Sequence, residues 1–487
     1  MTGGTWSAII TTGVFLAVLV PFERKSGATL NGYQVGWWQG ERRGAFTVTD
    51  SLLSYLACQL RGVATVPINT RLAPAEVGYI LKDSDATVLM SGGDQGECAR
   101  SIAAEYDRRL MDCDAVADGA ATDFRRTPLK GSDVSVVFYT SGTTGFPKGA
   151  AIAMDCWSER LMWWGWEFDV ASHDVMLVPG PTFHMSFCSL CLCALYRGAR
   201  LRIVERFDVA GSYDELRDTC TWSFLVPTMS TMMLELWRER GREPLKSPRI
   251  ILSSGAALSP STLEDMMAMF PNARIFEAYG WTEAGWVTSE VKRHGTIVPH
   301  SVGWSAFGSE VVVLDENGEP CATGLVGEVA ACTPVPFSHY LNNPEATGKA
   351  WAGKYQKSGD IGMFLEDGRL KLLDRRNDMI VTGGENVYPA EIEGALVEHP
   401  AISDAAVFGI PHHEMGEEVR AAVVLAPGVD WSDDIEADVV AHCRERLAGY
   451  KLPRSFEVHD ELPRSAAGKL TKRTLRDPWW ADRDRAI

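Results

Sequence analysis

The sequence is short of positive charge, with 47 lysines and arginines against 64 aspartates and glutamates and a formal net charge of −17. A surface of this sign repels nucleic acid and anionic lipid, which excludes nonspecific binding to either. An anionic substrate would therefore need a local cluster of positive groups. Internal repeats and low-complexity tracts are also absent, which excludes a repeat architecture.

We expect no secretion signal in this sequence, and its cysteines do not follow a regular framework. The 11 cysteines are irregularly spaced along 487 residues, which is typical of a reducing compartment and predicts a cytoplasmic protein. Cys188, Cys191 and Cys193 lie close to His184 with a spacing seen in metal sites, but no second ligand pair follows them. Because residues 187–196 are apolar, we expect these cysteines in the hydrophobic core.

No apolar run reaches the roughly 20 residues that a membrane span needs. Residues 6–22 come nearest, but they are shorter and lack a basic flank. We expect a buried strand or helix there, with membrane association as the alternative.

The length of 487 residues predicts at least two domains, and short β-branched runs alternating with amphipathic stretches predict an α/β fold. Residues 134–139 and 250–252 are expected to form buried strands of a parallel sheet. Residues 261–270 are expected to form a helix, with Ser259 as its N-cap and Pro260 in its first turn.

Five polar residues, DRRND at 374–378, interrupt the apolar pattern and are expected to separate two domains. The larger domain would cover residues 1–373 and the smaller one residues 379–487. Within the smaller domain we expect a helix, a strand and a second helix at residues 389–399, 403–409 and 432–447.

Residues 139–149, YTSGTTGFPKG, form the most informative segment, in which a strand leads into a loop of glycines and hydroxyls with one lysine. Glycines allow a phosphate to approach the backbone, hydroxyls donate hydrogen bonds and lysine adds charge. The predicted phosphate contacts are Thr140, Ser141, Gly142, Thr143, Thr144 and Lys148. The lysine follows proline and precedes glycine, so this is not a Walker A loop. A surface loop without a ligand is the alternative.

Further blocks occur in a defined order: PTFHMS at 181–186, SSGAAL at 253–258, AYGWTEAG at 278–285, KSGDIG at 357–362, DRRNDMIVTGGENVYPAEIE at 374–393 and LPRSAAGKL at 462–470. With them, residues 51–472 resemble the adenylate-forming superfamily of acyl-CoA synthetases, peptide-synthetase adenylation domains and beetle luciferases. The resemblance implies a large N-terminal domain of sheets flanked by helices and a small mobile C-terminal α/β domain. It also implies ATP-dependent activation of a carboxylic acid to an acyl-adenylate.

In that resemblance, Glu283 helps to hold Mg²⁺ and Thr282 contacts the α-phosphate of ATP, which suits a hard cation that prefers oxygen ligands. Small residues beside an aromatic ring would form a shelf for adenine, and a carboxylate with an arginine would bind the ribose. The residues concerned are Gly255, Ala256, Ala257, Tyr279, Asp360 and Arg375. Tight packing of a strand against a helix is the alternative for the small residues.

The resemblance assigns the main catalytic role to Lys469, which would neutralise negative charge as the substrate carboxylate attacks the α-phosphorus. The small domain would then rotate about a hinge at Asn377, where the family usually has Asp or Lys. Gly384 would line the channel for the pantetheine arm of coenzyme A, and Lys451 would meet one of its phosphates.

His184 stands where amino-acid-activating relatives usually carry an aspartate, so an aryl or alkyl acid is expected rather than an α-amino acid. His184 is also a candidate catalytic residue. The acyl pocket implied by the resemblance contains Phe183, His184, Met185, Val226 and Trp286. These side chains could equally belong to the core. For the tryptophans at 157, 163, 164 and 166, helix packing is favoured over a pocket wall.

The sequence alone does not decide the identity of the acyl acceptor. Coenzyme A is the expected acceptor, and the phosphopantetheine of an acyl carrier protein is the alternative. An enzyme limited to one of the two half-reactions, and a nucleotide-binding protein without catalysis, are further alternatives. A homodimer is compatible with the sequence, and the first fifty residues do not fit the family pattern.

Overall fold

The computed structural model describes most of the chain after residue 32. The described residues are 33–38, 48–69, 72–91, 96–112, 129–140, 147–204, 207–375, 378–382, 385–412, 415–447, 449–464 and 470–481. Residues 6–22, where we expect a buried strand or helix, lie outside these ranges.

Strands are spread along the whole described chain. They are β1 Tyr33–Trp38, β2 Val63–Ile68, β3 Val88–Ser91, β4 Arg109–Asp112, β5 Val134–Thr140, β6 Lys148–Ala153, β7 Val175–Val178, β8 Arg200–Ile203, β9 Trp222–Phe224, β10 Ile250–Ser253, β11 Arg274–Trp281, β12 Gly285–Lys292, β13 Ser301–Ser305, β14 Glu310–Leu314, β15 Gly327–Cys332, β16 His339–Tyr340, β17 Trp351–Ala352, β18 Tyr355–Phe364, β19 Leu370–Arg375, β20 Ile380–Thr382, β21 Glu385–Val387, β22 Ile402–His412, β23 Gly416–Leu425 and β24 Ser455–Val458.

Helices separate many of these strands. They are α1 Val48–Leu60, α2 Pro74–Asp83, α3 Gly96–Glu105, α4 Met154–Glu167, α5 Met185–Tyr196, α6 Val209–Asp218, α7 Pro227–Glu239, α8 Pro260–Met269, α9 Pro344–Lys349, α10 Pro389–Val397, α11 Asp433–Arg444 and α12 Lys472–Arg476.

The first sheet has seven strands in the order β16-β6-β5-β2-β1-β3-β4. Strands β1 to β4 pair in parallel, and β2 pairs in parallel with β5. Strands β5 and β6 form an antiparallel hairpin, to which β16 adds. Strand β1 lies within the first fifty residues, where the sequence showed no recognisable strand.

The second sheet has twelve strands, and the pairing of its strands changes from parallel to antiparallel at β11. Its order is β14-β15-β18-β19-β13-β12-β11-β10-β9-β7-β8, with β17 paired to β18. Pairing is parallel from β8 to β11 and antiparallel from β11 to β14. The prediction of a parallel sheet is therefore right for the first part and wrong for the second. Only residues 282–284 separate β11 from β12, and so short a connection can join only antiparallel neighbours.

The third sheet lies in the C-terminal part of the chain and has five strands. Its order is β21-β20-β23-β22, with β24 paired to β23. Side chains of α10, α11 and this sheet form one buried apolar cluster. The predicted fold class, a larger sheet-rich N-terminal part and a smaller C-terminal α/β part, is confirmed. The boundary at 374–378 stays a prediction.

Local sequence signals located several elements correctly. Strand β5 covers the predicted residues 134–139, and β10 covers residues 250–252. Helix α8 begins after Ser259, whose hydroxyl accepts a hydrogen bond from the backbone N–H of Thr262 at 3.1 Å. In the C-terminal part, α10, β22 and α11 are the predicted helix, strand and helix, and Ser432 caps α11.

The cysteines of α5 belong to the largest apolar core. Cys188, Cys191 and Cys193 are buried there, which confirms their predicted core placement. Burial raises the pKa of Cys191 to about 12, because a thiolate is poorly solvated in an apolar environment. Within the described residues, no group of three potential metal ligands occurs. No helix in the described part of the chain combines the length and apolar character that crossing a membrane requires.

Candidate functional site

The two ends of the threonine-rich loop lie side by side in the hairpin of β5 and β6. Thr140 is opposite Lys148, and Tyr139 is opposite Gly149. A Cβ atom on Gly149 would come within 2.9 Å of the Tyr139 ring, so glycine permits this close approach. The register therefore brings a hydroxyl and an ammonium group to the same end of the hairpin. The predicted contacts Ser141, Gly142, Thr143 and Thr144 lie outside the described residues.

Helix α2 holds both ends of this loop. The hydroxyl of Tyr139 donates to Oδ2 of Asp83 at 2.7 Å, and the hydroxyl of Tyr79 donates to the carbonyl of Pro147 at 3.2 Å. Burial raises the pKa of Tyr139, and its bond to Asp83 raises it further, so the phenol stays protonated as a donor. These contacts fix where the loop begins and ends.

Glu283 lies in the short turn between β11 and β12 and is only 9% exposed. Its Oε1 accepts a hydrogen bond from the hydroxyl of Tyr340 at 2.6 Å and a longer one from Thr140 at 3.5 Å. Within the described residues no hydrogen bond reaches its Oε2. The ammonium of Lys148 lies 4.5 Å from the centre of the Tyr340 ring. Thr140 and Lys148, predicted from one motif, and Glu283, predicted from another, thus meet around Tyr340.

Tyr340 was not predicted from the sequence, and no local signal identifies it. It is buried, and burial together with the neighbouring Glu283 raises its pKa. The phenol is therefore a hydrogen-bond donor at any physiological pH. Its position on β16, far from Glu283 in sequence, makes this a contact that only the fold creates.

Arg160 on α4 is fully buried and holds the turn that carries Glu283. Its guanidinium donates to the carbonyls of Thr282 at 3.0 Å and Glu283 at 2.5 Å, and its Nε donates to the carbonyl of Val335 at 2.7 Å. No carboxylate of the described residues pairs with it, and burial lowers its pKa to about 10. Three main-chain acceptors thus replace the water that this cation loses.

The sequence did contain a signal for Arg160. It shares a helical face with Trp157, Leu161 and Trp164, which are three or four positions apart and all buried. A charged residue within such an apolar stripe must find partners on folding. The half-buried Thr282 lies in the same turn, and its carbonyl is one of those partners.

Tyr279 and Asp360, both predicted nucleotide contacts, meet directly. The hydroxyl of Tyr279 donates to Oδ2 of Asp360 at 2.6 Å. Asp360 on β18 is paired with Arg375 on β19 in the strand register, while the Arg375 side chain lies outside the described structure. Since Tyr279 is four residues before Glu283, strand β11 connects the predicted adenine contact, which is bonded to the predicted ribose contact Asp360, with the turn that carries the predicted metal contact.

The predicted adenine shelf follows β10 at the same edge of the sheet. Ser253 on β10 is paired with Glu277 on β11, so the residues after Ser253 lie near Tyr279. Gly255 has φ +98°, a backbone conformation that favours glycine. The carboxylate of Glu277 accepts from the backbone N–H of Leu258 at 3.1 Å, which fixes the far end of the loop. The shelf residues Gly255, Ala256 and Ala257 are exposed.

The predicted acyl-pocket residues lie around the start of α5 and on β12. His184 is the N-cap residue of α5, and its ring lies 5.3 Å from that of Phe183. Met185 is buried, with its sulfur 3.6 Å from the Arg160 guanidinium. Trp286 is buried and donates to the hydroxyl of Ser254 at 3.4 Å. Val226 is the N-cap residue of α7.

A shallow recess, partly open to solvent and with room for about one water molecule, adjoins this region, and we call it the aromatic cleft. It is lined by Trp163, Trp164, Glu167, Ala284, Trp286, Ala306, Phe307, Ser309, Thr333, Pro334 and Val335. Trp286 is the predicted acyl-pocket residue among them. The predicted preference for helix packing holds for Trp157 and Trp164, which are buried. Trp163 and Trp164 also line the cleft. For these two residues the alternative prediction, a contribution to a pocket wall, therefore also holds.

In the C-terminal part, the ammonium of Lys451 forms an ion pair with Glu391 in the first turn of α10, at 2.6 Å. The remaining predicted residues of this part, Lys469, Asn377 and Gly384, lie outside the described residues. Their roles stay predictions.

Two family models match the chain. Residues 45–341 match the model of the AMP-binding enzyme, and residues 391–469 match that of the AMP-binding enzyme C-terminal domain. The first match alone covers more than half of the chain, and together they span the N-terminal and C-terminal parts described above.

Named relatives agree with these models. The long-chain-fatty-acid–CoA ligase FadD13 of Mycobacterium tuberculosis is 32% identical over 88% of this chain and 86% of its own length. A feruloyl-CoA synthase of an Amycolatopsis species is 33% identical over 87% of this chain and 86% of its own. A solved structure of o-succinylbenzoate coenzyme A synthetase from Bacillus subtilis, in complex with ATP and magnesium ion, is 28% identical, with a TM-score of 0.80 and coverage of 92% of this chain and 89% of that chain. The chain therefore belongs to the AMP-binding enzyme family, which confirms the adenylate-forming superfamily predicted from its motifs.

Proposed function

We propose that this protein uses ATP to convert a carboxylic acid into an acyl-adenylate, releases pyrophosphate, and transfers the acyl group to the thiol of coenzyme A. The observation that carries the proposal is the meeting of Thr140, Lys148 and Glu283 around Tyr340, at the end of a strand that also carries Tyr279. The CoA-ligase names of its relatives support the same reaction.

The described residues can bind the nucleotide in three parts. Asp360 would accept hydrogen bonds from the ribose hydroxyls, with Arg375 beside it. Adenine would lie on the exposed shelf of Gly255, Ala256 and Ala257, against Tyr279. The phosphates would meet Thr140, Thr282 and Lys148, where positive charge and hydroxyl donors are close together.

A magnesium ion fits the donor set at this turn. Mg²⁺ is usually held by one or two carboxylates together with substrate phosphates and water. Glu283 offers one such carboxylate, and its Oε2 has no hydrogen bond within the described residues. We propose that Glu283 holds the ion, which would neutralise phosphate charge when bound.

In the first step, a carboxylate oxygen of the acid attacks the α-phosphorus of ATP. The bond from that phosphorus to the bridging oxygen of pyrophosphate breaks, and pyrophosphate leaves. Lys469 would neutralise the negative charge that collects on the reacting oxygens, an effect worth several kcal/mol, or roughly a thousandfold in rate.

In the second step, the thiol of coenzyme A releases its proton to solvent, its sulfur attacks the acyl carbonyl carbon, and the bond from that carbon to the phosphate oxygen breaks as AMP leaves. Rotation of the small domain about residues 374–378, with Asn377 as hinge, would open the way for the thiol along Gly384. A CoA phosphate at Lys451 would have to compete with Glu391, the present partner of that lysine.

The acid is proposed to be aryl or alkyl rather than an α-amino acid. His184, in place of an aspartate, gives the ammonium group of an amino acid no carboxylate partner, and an unpaired buried ammonium is costly. Phe183, Met185 and Trp286 supply apolar surface near the Glu283 turn.

Pyrophosphate exchange tests the first step separately from the second. The purified full chain is incubated with ATP, labelled pyrophosphate, Mg²⁺ and one carboxylic acid at a time, with and without coenzyme A. We expect acid-dependent exchange, and AMP release that rises when coenzyme A is present. Loss of exchange in Lys469→Ala, with unchanged folding, would support its role, whereas full exchange would contradict it.

Two alternative functions give different outcomes in the same assay. Exchange without CoA-dependent AMP release, but with release when a phosphopantetheinylated carrier protein is added, would identify a carrier-protein ligase. Exchange with neither acceptor would identify an enzyme of the first half-reaction alone. No exchange with any acid would contradict the proposed adenylation.

A further inference from the structure

We propose that the ion pair between Lys472 and Glu393 positions the chain segment that carries Lys469, and that adenylation therefore depends on this pair. Both are positioning residues, since they would act through Lys469 rather than on the nucleotide or the acid. The inference rests on the proposed function, because Lys469 would act in its first step. It goes further by assigning a task to two residues that have no role in the proposed mechanism.

The segment that ends with Lys469 is closed at its base. Residues 465–469 lie outside the described residues, but the residues on both sides lie within them. Arg464 and Leu470 pair in an antiparallel bridge, and Leu470 packs against an apolar cluster of β22, β23 and α12. Because one peptide bond joins Lys469 to Leu470, the position of this base limits where the lysine backbone can lie.

Lys472 begins α12, three residues after Lys469, and its ammonium lies 2.9 Å from Oε1 of Glu393 on α10. The two side chains are only 10% and 18% exposed, so water and salt screen this pair less than a pair at the surface. The same oxygen accepts a hydrogen bond from the backbone N–H of Val407 at 2.7 Å. Val407 lies on β22, an edge strand of the third sheet. One carboxylate therefore joins α10, β22 and α12.

Two other ion pairs hold the neighbouring parts of the chain. Arg464 pairs with Asp404 at 2.5 Å, and these side chains are 35% and 32% exposed. Arg476, at the end of α12, pairs with Asp378 at 3.2 Å, with exposures of 14% and 24%. Of the three pairs, that of Lys472 is the most buried and the nearest to Lys469 in sequence. It is therefore the charged contact best placed to fix the segment.

The position of a catalytic cation strongly affects its contribution to the rate, and a displacement of about 1 Å can reduce the rate by about 100-fold. Without the ammonium of Lys472, the start of α12 loses its charged contact with α10, and the segment before it can shift. Thiol transfer does not use Lys469 in the proposed mechanism, so it should not depend on the ion pair. This difference distinguishes positioning from a general effect on stability.

Separate measurements of the two half-reactions test the inference on the full chain. Pyrophosphate exchange reports the first, with the acid that the wild-type protein uses fastest. AMP release from the synthetic acyl-adenylate of that acid reports the second, with the acyl acceptor identified in the assay above. In Lys472→Met, we expect kcat for exchange to fall by about tenfold or more. The KM for ATP and the rate of thiol transfer should stay at their wild-type values.

Arg473→Met is the matched control, because it removes a cation from the next residue of the same helix and breaks an exposed pair with Asp477. It should leave both half-reactions unchanged. Lys472→Arg keeps the positive charge and should recover most of the exchange rate. Glu393→Gln keeps an acceptor for the N–H of Val407 and should show the same selective loss as Lys472→Met. It takes the place of Lys472→Met if that variant does not fold.

A double variant shows whether Lys472 acts through Lys469. When Lys469→Ala is already present, Lys472→Met should cause no further loss of the slow exchange that remains. A further loss would overturn the inference, as would equal losses in both half-reactions or unchanged exchange in folded Lys472→Met. These outcomes leave the proposed function intact. No exchange with any acid in the wild-type protein would overturn the proposed function itself, and the inference with it.

Discussion

Buried carboxylates at two places along the hairpin of β11 and β12 differ in their charged partners. Glu277 and Glu290, both 4% exposed, share the ammonium of Lys292 at 3.0 and 2.7 Å, and Arg369 adds a contact to Glu290 at 3.2 Å. Glu283, at the end of the same strand pair, is nearly as buried but has no ion-pair partner within the described residues. Hydroxyl groups are its only hydrogen-bond donors there.

We interpret this difference as one between carboxylates that stabilise the fold and the carboxylate proposed to bind magnesium. A buried charge without a counter-charge lowers stability, so proteins usually neutralise it, as Lys292 does here. At Glu283 the nearby guanidinium of Arg160 interacts electrostatically with the carboxylate but donates its hydrogen bonds to main-chain carbonyls, so a direct cationic partner is what the proposed magnesium ion could supply when ATP is bound. Four substitutions test this difference between the carboxylates, and they are given in order of decreasing expected effect.

Lys292→Met should have the largest effect, because it leaves the buried carboxylate of Glu277 without a cation and that of Glu290 with Arg369 alone. We expect the free energy of unfolding to fall by about 4 kcal/mol. Denaturant unfolding followed by tryptophan fluorescence measures this. Lys349→Met, which breaks an exposed pair with Glu345, should change stability by less than about 0.5 kcal/mol. Equal effects of the two variants would show that burial of the first pair is irrelevant.

Arg160→Met should lower the free energy of unfolding by about 3 kcal/mol, because three main-chain carbonyls lose their donor. Pyrophosphate exchange should fall with it, since the Glu283 turn is released. Arg160→Lys is the matched control. Lysine keeps the positive charge but lacks the planar guanidinium group. The free energy of unfolding of Arg160→Lys should therefore lie between those of the wild-type protein and Arg160→Met. A Met variant as stable as the wild-type protein would contradict this account.

Glu283→Gln should reduce pyrophosphate exchange by about 100-fold, because the proposed magnesium contact is lost. In contrast to Lys292→Met, its free energy of unfolding should be unchanged or slightly higher, since an unpaired buried charge becomes a neutral amide of the same shape. Exchange kinetics and denaturant unfolding are measured on the same preparation. A clear loss of stability would indicate a structural role for the carboxylate.

Tyr340→Phe should have the smallest effect, because it removes one hydrogen bond to Glu283 and leaves the ring in place. We expect a loss of about 1 kcal/mol in unfolding free energy and about a fivefold decrease in exchange. Tyr355→Phe removes an equivalent bond to Glu310 at the surface and serves as the control. If both variants changed the free energy of unfolding and pyrophosphate exchange to the same extent, the bond from Tyr340 to Glu283 would have no particular role at the site.

Features that depend on a few neighbouring residues were predictable from the sequence. The N-cap at Ser259 and the buried strand at 134–139 follow from local hydrogen-bonding capacity and an apolar run. The motif blocks also identified Thr140, Lys148 and Glu283, which the fold brings together. Thr140 and Lys148 followed from the composition of one short loop, whereas the role of Glu283 came from the family resemblance.

Contacts between distant parts of the chain were not predictable in the same way. Tyr340 meets Glu283 only because β16 adds to the edge of the first sheet, and Lys292 meets Glu277 only through the register of β11 and β12. The antiparallel part of the second sheet was missed because apolar runs alone do not give strand direction. Arg160 was also missed, although its charge on an apolar helical face indicates a buried cation; its partners at residues 282, 283 and 335 depend on the fold.

The three bonds of Arg160 have a practical implication for redesign. A single guanidinium binds both the turn of Thr282 and Glu283 and the segment that contains Val335. A substitution that displaces Val335 would therefore also shift the turn that carries the proposed magnesium ligand. Redesign of either segment should keep Arg160, because its three bonds couple the positions of the two.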